Sequence, residues 1–289
     1  MDAQLLAQTL ANGLMIGSIY AMVALGLALI FGVLDIVNFS HGELYMIGAM
    51  LTWFFAERMG LGYLGSIPFT LAAALLLGLL VYRLVRDSAA AIERAIILTM
   101  GLAMVIQSSA MLLWTATPRE VRFDAAFGLL QLGWIAMPTT RAVAFGVAAL
   151  CVLALYLFLQ HSHAGRTIRA VAQNPRAAAM VGIRPHSAIR IAVVLGVVLA
   201  AGAGVLLAPV YTVHPVMGLG FLVKVFAIVI IGGMGSLGGA VFVAIGLGLF
   251  ESFMSLRMSI VIVEAITFAL MILVLLVRPQ GLFGRTARL

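Results

Sequence analysis

Nine times along the chain, apolar residues run on for long enough to cross, or nearly cross, a lipid bilayer. Long runs lie at about 10–31, 64–82, 95–114, 142–160, 191–210, 238–255 and 260–277, and shorter ones at about 44–56 and 221–234. A spanning helix needs roughly 20 apolar residues at about 1.5 Å of rise each. The expected fold is therefore an all-α polytopic membrane protein with about eight or nine transmembrane helices, some of them broken. Composition closes off the alternatives. Of 289 residues, 64% are hydrophobic and 9% charged, against about 45–50% and about 25% in soluble domains. Too few polar side chains remain to coat a soluble fold. That excludes a soluble enzyme, a nucleic-acid module and a disordered chain.

The net charge of +7 reads as membrane topology rather than as a nucleic-acid patch, because the basic residues sit in short connectors between apolar runs. Connector 161–190 carries Arg166, Arg169, Arg176, Arg184 and Arg190 with no acid. Connector 83–94 carries Arg83, Arg86 and Arg94, and the tail Arg278, Arg285 and Arg288. By the positive-inside rule these three are cytoplasmic, and loops 57–63 and 115–141, of mixed charge, are external. Nine full spans place the N-terminus outside; a re-entrant segment near 33–56 would place it inside. Trp53, Trp114 and Trp134 fall near predicted external ends and suit an aromatic belt. The start, Met1-Asp2-Ala3-Gln4, lacks the basic stretch of a cleavable signal peptide. The lone Cys151 excludes a disulfide framework.

Three polar stretches interrupt the apolar chain. In the first, Asn38, Ser40, His41, Gly42 and Glu43 follow the opening run closely. Ionisable groups at membrane depth usually face a protein interior or a water cavity, and broken helices are tolerated where they line one. One reading is a discontinuous helix on a solute pathway, whose exposed backbone meets a charged or zwitterionic substrate. The other is a cytoplasmic turn in which Ser40 or Asn38 caps the next helix. His41 and Glu43 have no second His or Cys at ligand spacing, so no metal site is expected.

The second stretch holds Gly232, Gly233, Gly235, Gly238 and Gly239. Its Gly-x-Gly-x-x-Gly spacing imitates a dinucleotide fingerprint, yet membrane-length flanks leave no soluble sheet to carry one. The expectation is a helix break or turn where backbones approach closely, acting as a gate or packing break. The third stretch is the long connector. Ile168 to Gln173 reads as helical; a second short helix follows, with Asn174 as N-cap, Pro175 at its first position and Gly182 as terminator. Small alanines and one-sided basic charge favour docking into a protein groove over anchoring on lipid, which needs bulkier apolar side chains.

Lys224, the chain's only lysine, snorkels or faces a cavity on this reading. Glu251 and Glu264 either bond to neighbouring helices or reach the interface near Arg257; the rival reading is a proton-coupling carboxylate. Gly13-xxx-Gly17 and Ala200-xxx-Gly204 suit close helix contacts.

Together, Asn12-Gly13 through Gly17-Ser18-Ile19-Tyr20-Ala21-Met22-Val23-Ala24-Leu25-Gly26, Asn38 to Glu43, Gly165-Arg166 to Gly182-Ile183, Gly232 to Gly239 and Leu276 to Gly284 resemble the LivH-type permeases of branched-chain amino acid ABC transporters. The resemblance covers nearly the whole chain. One departure is visible: the family's Tyr-Arg-Pro-Leu-Arg connector here reads Tyr82-Arg83-Leu84-Val85-Arg86, without the proline.

The resemblance implies a single permease domain over 1–289, set in a bacterial inner membrane, with 161–190 as its cytoplasmic coupling connector. A second related permease subunit would complete the pathway. Two cytoplasmic ATPases would bind the ATP and magnesium, and a periplasmic binding protein would deliver the amino acid. The chain itself would need no cofactor and catalyse nothing. The coupling residues would be Gly165, Arg166, Arg169, Ala170, Asn174, Ala178 and Gly182, with Asn38, Ser40, His41, Gly42 and Glu43 near the pathway. The rival function is a secondary transporter or channel driven by ions through Glu43, Glu251 or Glu264. Such folds often carry internal repeats, and no convincing one is found here. A membrane enzyme is disfavoured because no nucleophile–base or metal constellation is visible.

Overall fold

A computed structural model describes residues 3–86, 92–123, 128–132 and 135–284. Trp134, Arg285 and Arg288 lie outside the described residues. The helices are α1 (Ala3–Leu34), α2 (His41–Trp53, continuing as a π-helical turn over Phe54–Arg58), α3 (Gly62–Val85), α4 (Ile92–Trp114), α5 (Thr139–His161), α6 (His163–Gln173), α7 (Pro175–Met180), α8 (Pro185–Leu207), α9 (Met217–Gly232), α10 (Leu237–Met254) and α11 (Ile260–Val277). A short antiparallel hairpin, β1 (Leu129–Leu132) with β2 (Ile135–Pro138), lies between α4 and α5.

The fold is an all-α polytopic membrane protein. Six helices, α1, α3, α4, α5, α8 and α10, are each long and apolar enough to cross a bilayer, and α9 and α11 are shorter apolar ones. With α2 and its π turn, the apolar helices overlap the nine runs of the sequence, with ends that differ by up to seven residues, the most at the start of α1. They divide into two layers. Most of α1 and α8 is buried, whereas α3, α4 and α5 bury only a minority of their residues. The outer helices turn Leu76, Ile97, Leu112, Leu150 and Val261 outward. A helix apolar on every side is stable at the centre of a bundle or against lipid, and this chain uses both solutions.

Small residues let the central helices touch. A Cβ on Gly248 of α10 would strike the backbone of Gly13 and Gly17 in α1, so that pair forms the expected small-residue contact. Gly204 of α8 meets α2 in the same way, at Tyr45 and Ala49. The Ser252 hydroxyl donates to the Thr9 carbonyl at 2.8 Å, which runs α1 antiparallel to α10. The Ala136 N–H donates to Gln8 Oε1 at 3.0 Å. The N-terminal end of α1 therefore sits with the hairpin, at the end of the bundle opposite α6 and α7.

Candidate substrate pathway and basic foot

The first polar stretch is a break inside the bundle. Helix α1 stops at Leu34 because Asp35 adopts φ +54°, a left-handed conformation that ends a helix. Helix α2 starts at His41, whose ring Nε2 lies 3.0 Å from the Val23 carbonyl. Val23 is 11 residues before the end of α1, or about 16 Å at helical rise. Residues 35–40 therefore fold back along α1, and α2 begins at depth rather than at a surface turn. Ser40 occupies the N-cap position without a side-chain capping bond. Its hydroxyl donates instead to Asn38 Oδ1 (2.7 Å), as does its amide (3.1 Å). Of the expected pathway residues, Asn38, Ser40, His41, Gly42 and Glu43 are all buried. Glu43 lies in the first turn of α2, where a carboxylate complements the positive helix end. A side chain at Gly218 of α9 would collide with that carboxylate.

The glycine stretch is a tight turn between α9 and α10. Gly233 and Gly235 have φ +96° and +80°, and the Ser236 side chain caps α10 by accepting from Gly239 N–H. Gly232 and Gly239 pack backbone to backbone, while a Cβ on Gly238 would meet nothing within 4 Å among the described residues. The C-terminal segment joins here: Leu282 N–H donates to the Ile231 carbonyl (2.8 Å) and Phe283 N–H to Gly232 (3.2 Å).

The basic connector forms the two short helices α6 and α7. Ser162 caps α6 by accepting from Gly165 N–H at 2.8 Å, and Asn174 caps α7 by accepting from Ala177 N–H at 2.9 Å. Gly182 terminates the second with φ +83°. Inward-facing Gly165, Ile168 and Val171 seat α6 against the bundle, and Ala178 is buried in α7. Arg166, Arg169, Asn174 and Gly182 are exposed and Ala170 is half-buried. Arg169 donates to Gln160 Oε1 at 2.8 Å. Met180 and Val181 stand out at 83% and 76% exposure, an apolar tip the sequence reading did not single out.

The three charges of the last apolar helices form one cluster, which no local pattern in the sequence joins. Lys224 Nζ lies 3.1 Å from Glu251 Oε1 and 3.4 Å from Glu264 Oε1. It also donates to the Tyr20 hydroxyl at 3.1 Å, and that hydroxyl donates to Glu251 Oε2 at 2.8 Å. Lys224 and Glu251 are nearly buried, whereas Glu264 is 44% exposed. The cluster lines a cavity of about 310 Å³ between α1, α2, α5, α8, α9, α10 and α11. Its other polar groups are Asn12, Tyr45, Arg141 and Tyr211; Ile16, Ile19, Leu207 and Phe221 give it apolar walls. Tyr45 stacks on Phe221 with ring centroids 4.1 Å apart. None of Asn38, Ser40, His41, Gly42 and Glu43 lines this cavity; Tyr45, two residues beyond, does.

A lipid-facing bundle with a broken helix at its centre and charges gathered around an internal cavity has the architecture of a membrane transport protein. Residues 9–275 match the family described as the permease component of branched-chain amino acid transport systems. The chain is 33% identical, over 96% of its length and 95% of theirs, to the high-affinity branched-chain amino acid transport system permease protein LivH of Escherichia coli and of Salmonella typhimurium. It is 32% identical over the same shares to the permease BraD of Pseudomonas aeruginosa. The chain belongs to the family of branched-chain amino acid transport permeases.

Proposed function

We propose that this protein is the membrane-spanning subunit of an ABC importer that carries branched-chain amino acids across a bacterial inner membrane. Its partners are a second related permease, two cytoplasmic ATPases that bind the ATP and magnesium, and a periplasmic amino-acid-binding protein. The observation that carries the coupling is the capped α6–α7 foot. It is basic, presents Met180 and Val181 outward, and is seated on α1, α5 and α8 through Ile168 and Val171. Closure of the ATPase pair would move two such feet, and the helices beneath them, as units. A nucleotide shifts the pathway between inward and outward access only by binding one state more tightly. The permease therefore needs only weak contacts with its solute.

Those contacts fall to the cavity. One ammonium among two carboxylates, with a guanidinium at the rim and apolar walls, complements a zwitterion with an aliphatic side chain. The break at Asn38–Glu43 and the glycine turn at Gly232–Gly239 are the elements that rearrange as access alternates. Ion coupling through Glu251 or Glu264 is the weaker reading: Lys224 holds both carboxylates within 3.4 Å, although its single positive charge offsets only one of the two. Affinity purification of the tagged chain from its native membrane tests the assembly. A co-purifying ATPase and a second permease are expected; a chain that purifies alone and exchanges solute under a proton or sodium gradient would overturn the proposal.

A further inference from the structure

At the foot end, α3 and α8 lie close together, with Gly78 against Val194. Beside that contact an outward-facing groove of about 510 Å³ runs along α3. Its apolar part is Leu76, Leu79 and Leu80, exposed by 70%, 42% and 45%; its mouth is Arg83, Arg86 and Arg190. The missing proline matters here. Arg86 N–H donates to the Tyr82 carbonyl at 2.9 Å, so the helical path continues through Leu84, where a proline would kink it. Arg83 and Arg86, three residues apart, thereby share one helix face, and Arg190, from the second turn of α8, closes the mouth.

The geometry points to a binding site for one anionic phospholipid of the cytoplasmic leaflet, its phosphate among the arginines and an acyl chain along the leucines. A soluble anion would leave the leucine half of the groove empty. A zwitterionic lipid would gain less, because its ammonium is repelled by the arginines that hold its phosphate. Basic pockets between transmembrane helices on the cytoplasmic side are a recurrent form of headgroup recognition. The inference requires that the chain lie in a membrane with its foot end on the cytoplasmic side, and stands apart from the question of ATP coupling.

Native mass spectrometry of the detergent-extracted full-length protein, with its co-purifying subunits, tests this. Thermal unfolding in phosphatidylcholine nanodiscs, with and without phosphatidylglycerol, is the parallel readout. The wild type should retain phosphatidylglycerol and melt higher in its presence. Arg83→Gln with Arg190→Gln should lose both the adduct and the shift, while Arg257→Gln, at the opposite end, keeps both. Leu79→Trp fills the groove with every charge intact and should also lose the adduct. Inorganic phosphate should not raise the melting temperature. Unchanged lipid retention in the double variant, a shift reproduced by phosphate alone, or loss of a co-purifying subunit with lipid retention intact would each overturn the assignment.

Discussion

Lys224 and Glu251 face each other across 3.1 Å inside the bundle, brought together from α9 and α10, with the Tyr20 hydroxyl of α1 bonded to both. Removing one partner of a buried ion pair leaves a desolvated charge behind, at a cost on the order of 3 kcal/mol. Lys224→Met and Glu251→Gln should therefore each lower the melting temperature. The double variant should cost less than the sum of the two, because the buried pair is then removed whole, and Glu264, 44% exposed, keeps its hydration. If the cluster meets the substrate, all three variants lose uptake, including the double variant that recovers stability. Recovery of uptake along with stability would reduce the cluster to a structural tie.

The contact between α1 and α10 predicts a contrast between two glycines of one helix. Gly248→Val drives a side chain into the backbone of Gly13 and Gly17 and should cost on the order of 3 kcal/mol. Gly246, two residues earlier, meets nothing within 4 Å. Gly246→Ala should be neutral or stabilise by up to about 1 kcal/mol through helix propensity. Thermal unfolding in one detergent compares them directly; equal losses would mean that α1 and α10 do not pack at Gly248.

The exposed tip of the foot predicts a separation of assembly from folding. Met180→Asp with Val181→Asp touches two side chains that contact little of the chain, so expression and melting temperature should hold. The ATPase should no longer co-purify, and nucleotide hydrolysis should cease to respond to the delivered amino acid. Ala178→Trp should uncouple differently, by displacing α7 from its seat. A Met180 and Val181 double variant that retains a stimulated ATPase would remove the foot from the coupling route.

At the glycine turn, Gly233 combines φ +96° with backbone contact to Gly284. Gly233→Ala adds left-handed strain of about 1–2 kcal/mol and a collision with the tail. Hydrogen exchange at the Leu282 and Phe283 amides, which donate to Ile231 and Gly232, should accelerate. Unchanged exchange at both would show that the tail is not held by the turn.

What the sequence made legible was local. Apolar run length placed the helices, and the Asn174-Pro175 pair with Gly182 placed α7, because caps and terminators act within a few residues. Arginine placement implied a sidedness; the antiparallel packing of α1 on α10 adds that α1 starts at the end of the bundle away from the basic connector. The sequence equally allowed a surface turn at Asn38–Glu43; the distinction lay in the His41 contact with Val23, made across a fold-back no local pattern encodes. The cavity was hidden for the same reason. Tyr20 and Glu251 stand 231 residues apart, and read singly, Lys224, Glu251 and Glu264 were three stray charges. Their rarity in apolar runs was the available signal, since buried charges need partners, but it could not say that they were each other's. The tail and the glycine turn were each singled out, and only the structure joins them.

Uptake into proteoliposomes tests the central claim most directly. The permease would be reconstituted with its partner subunits and binding protein, and labelled leucine followed with and without ATP, alongside vesicles holding this chain alone under proton and sodium gradients. Accumulation against a gradient that requires ATP and the ATPases, with none by the chain alone, is the predicted result. Uphill uptake by the solitary chain under an ion gradient would contradict it.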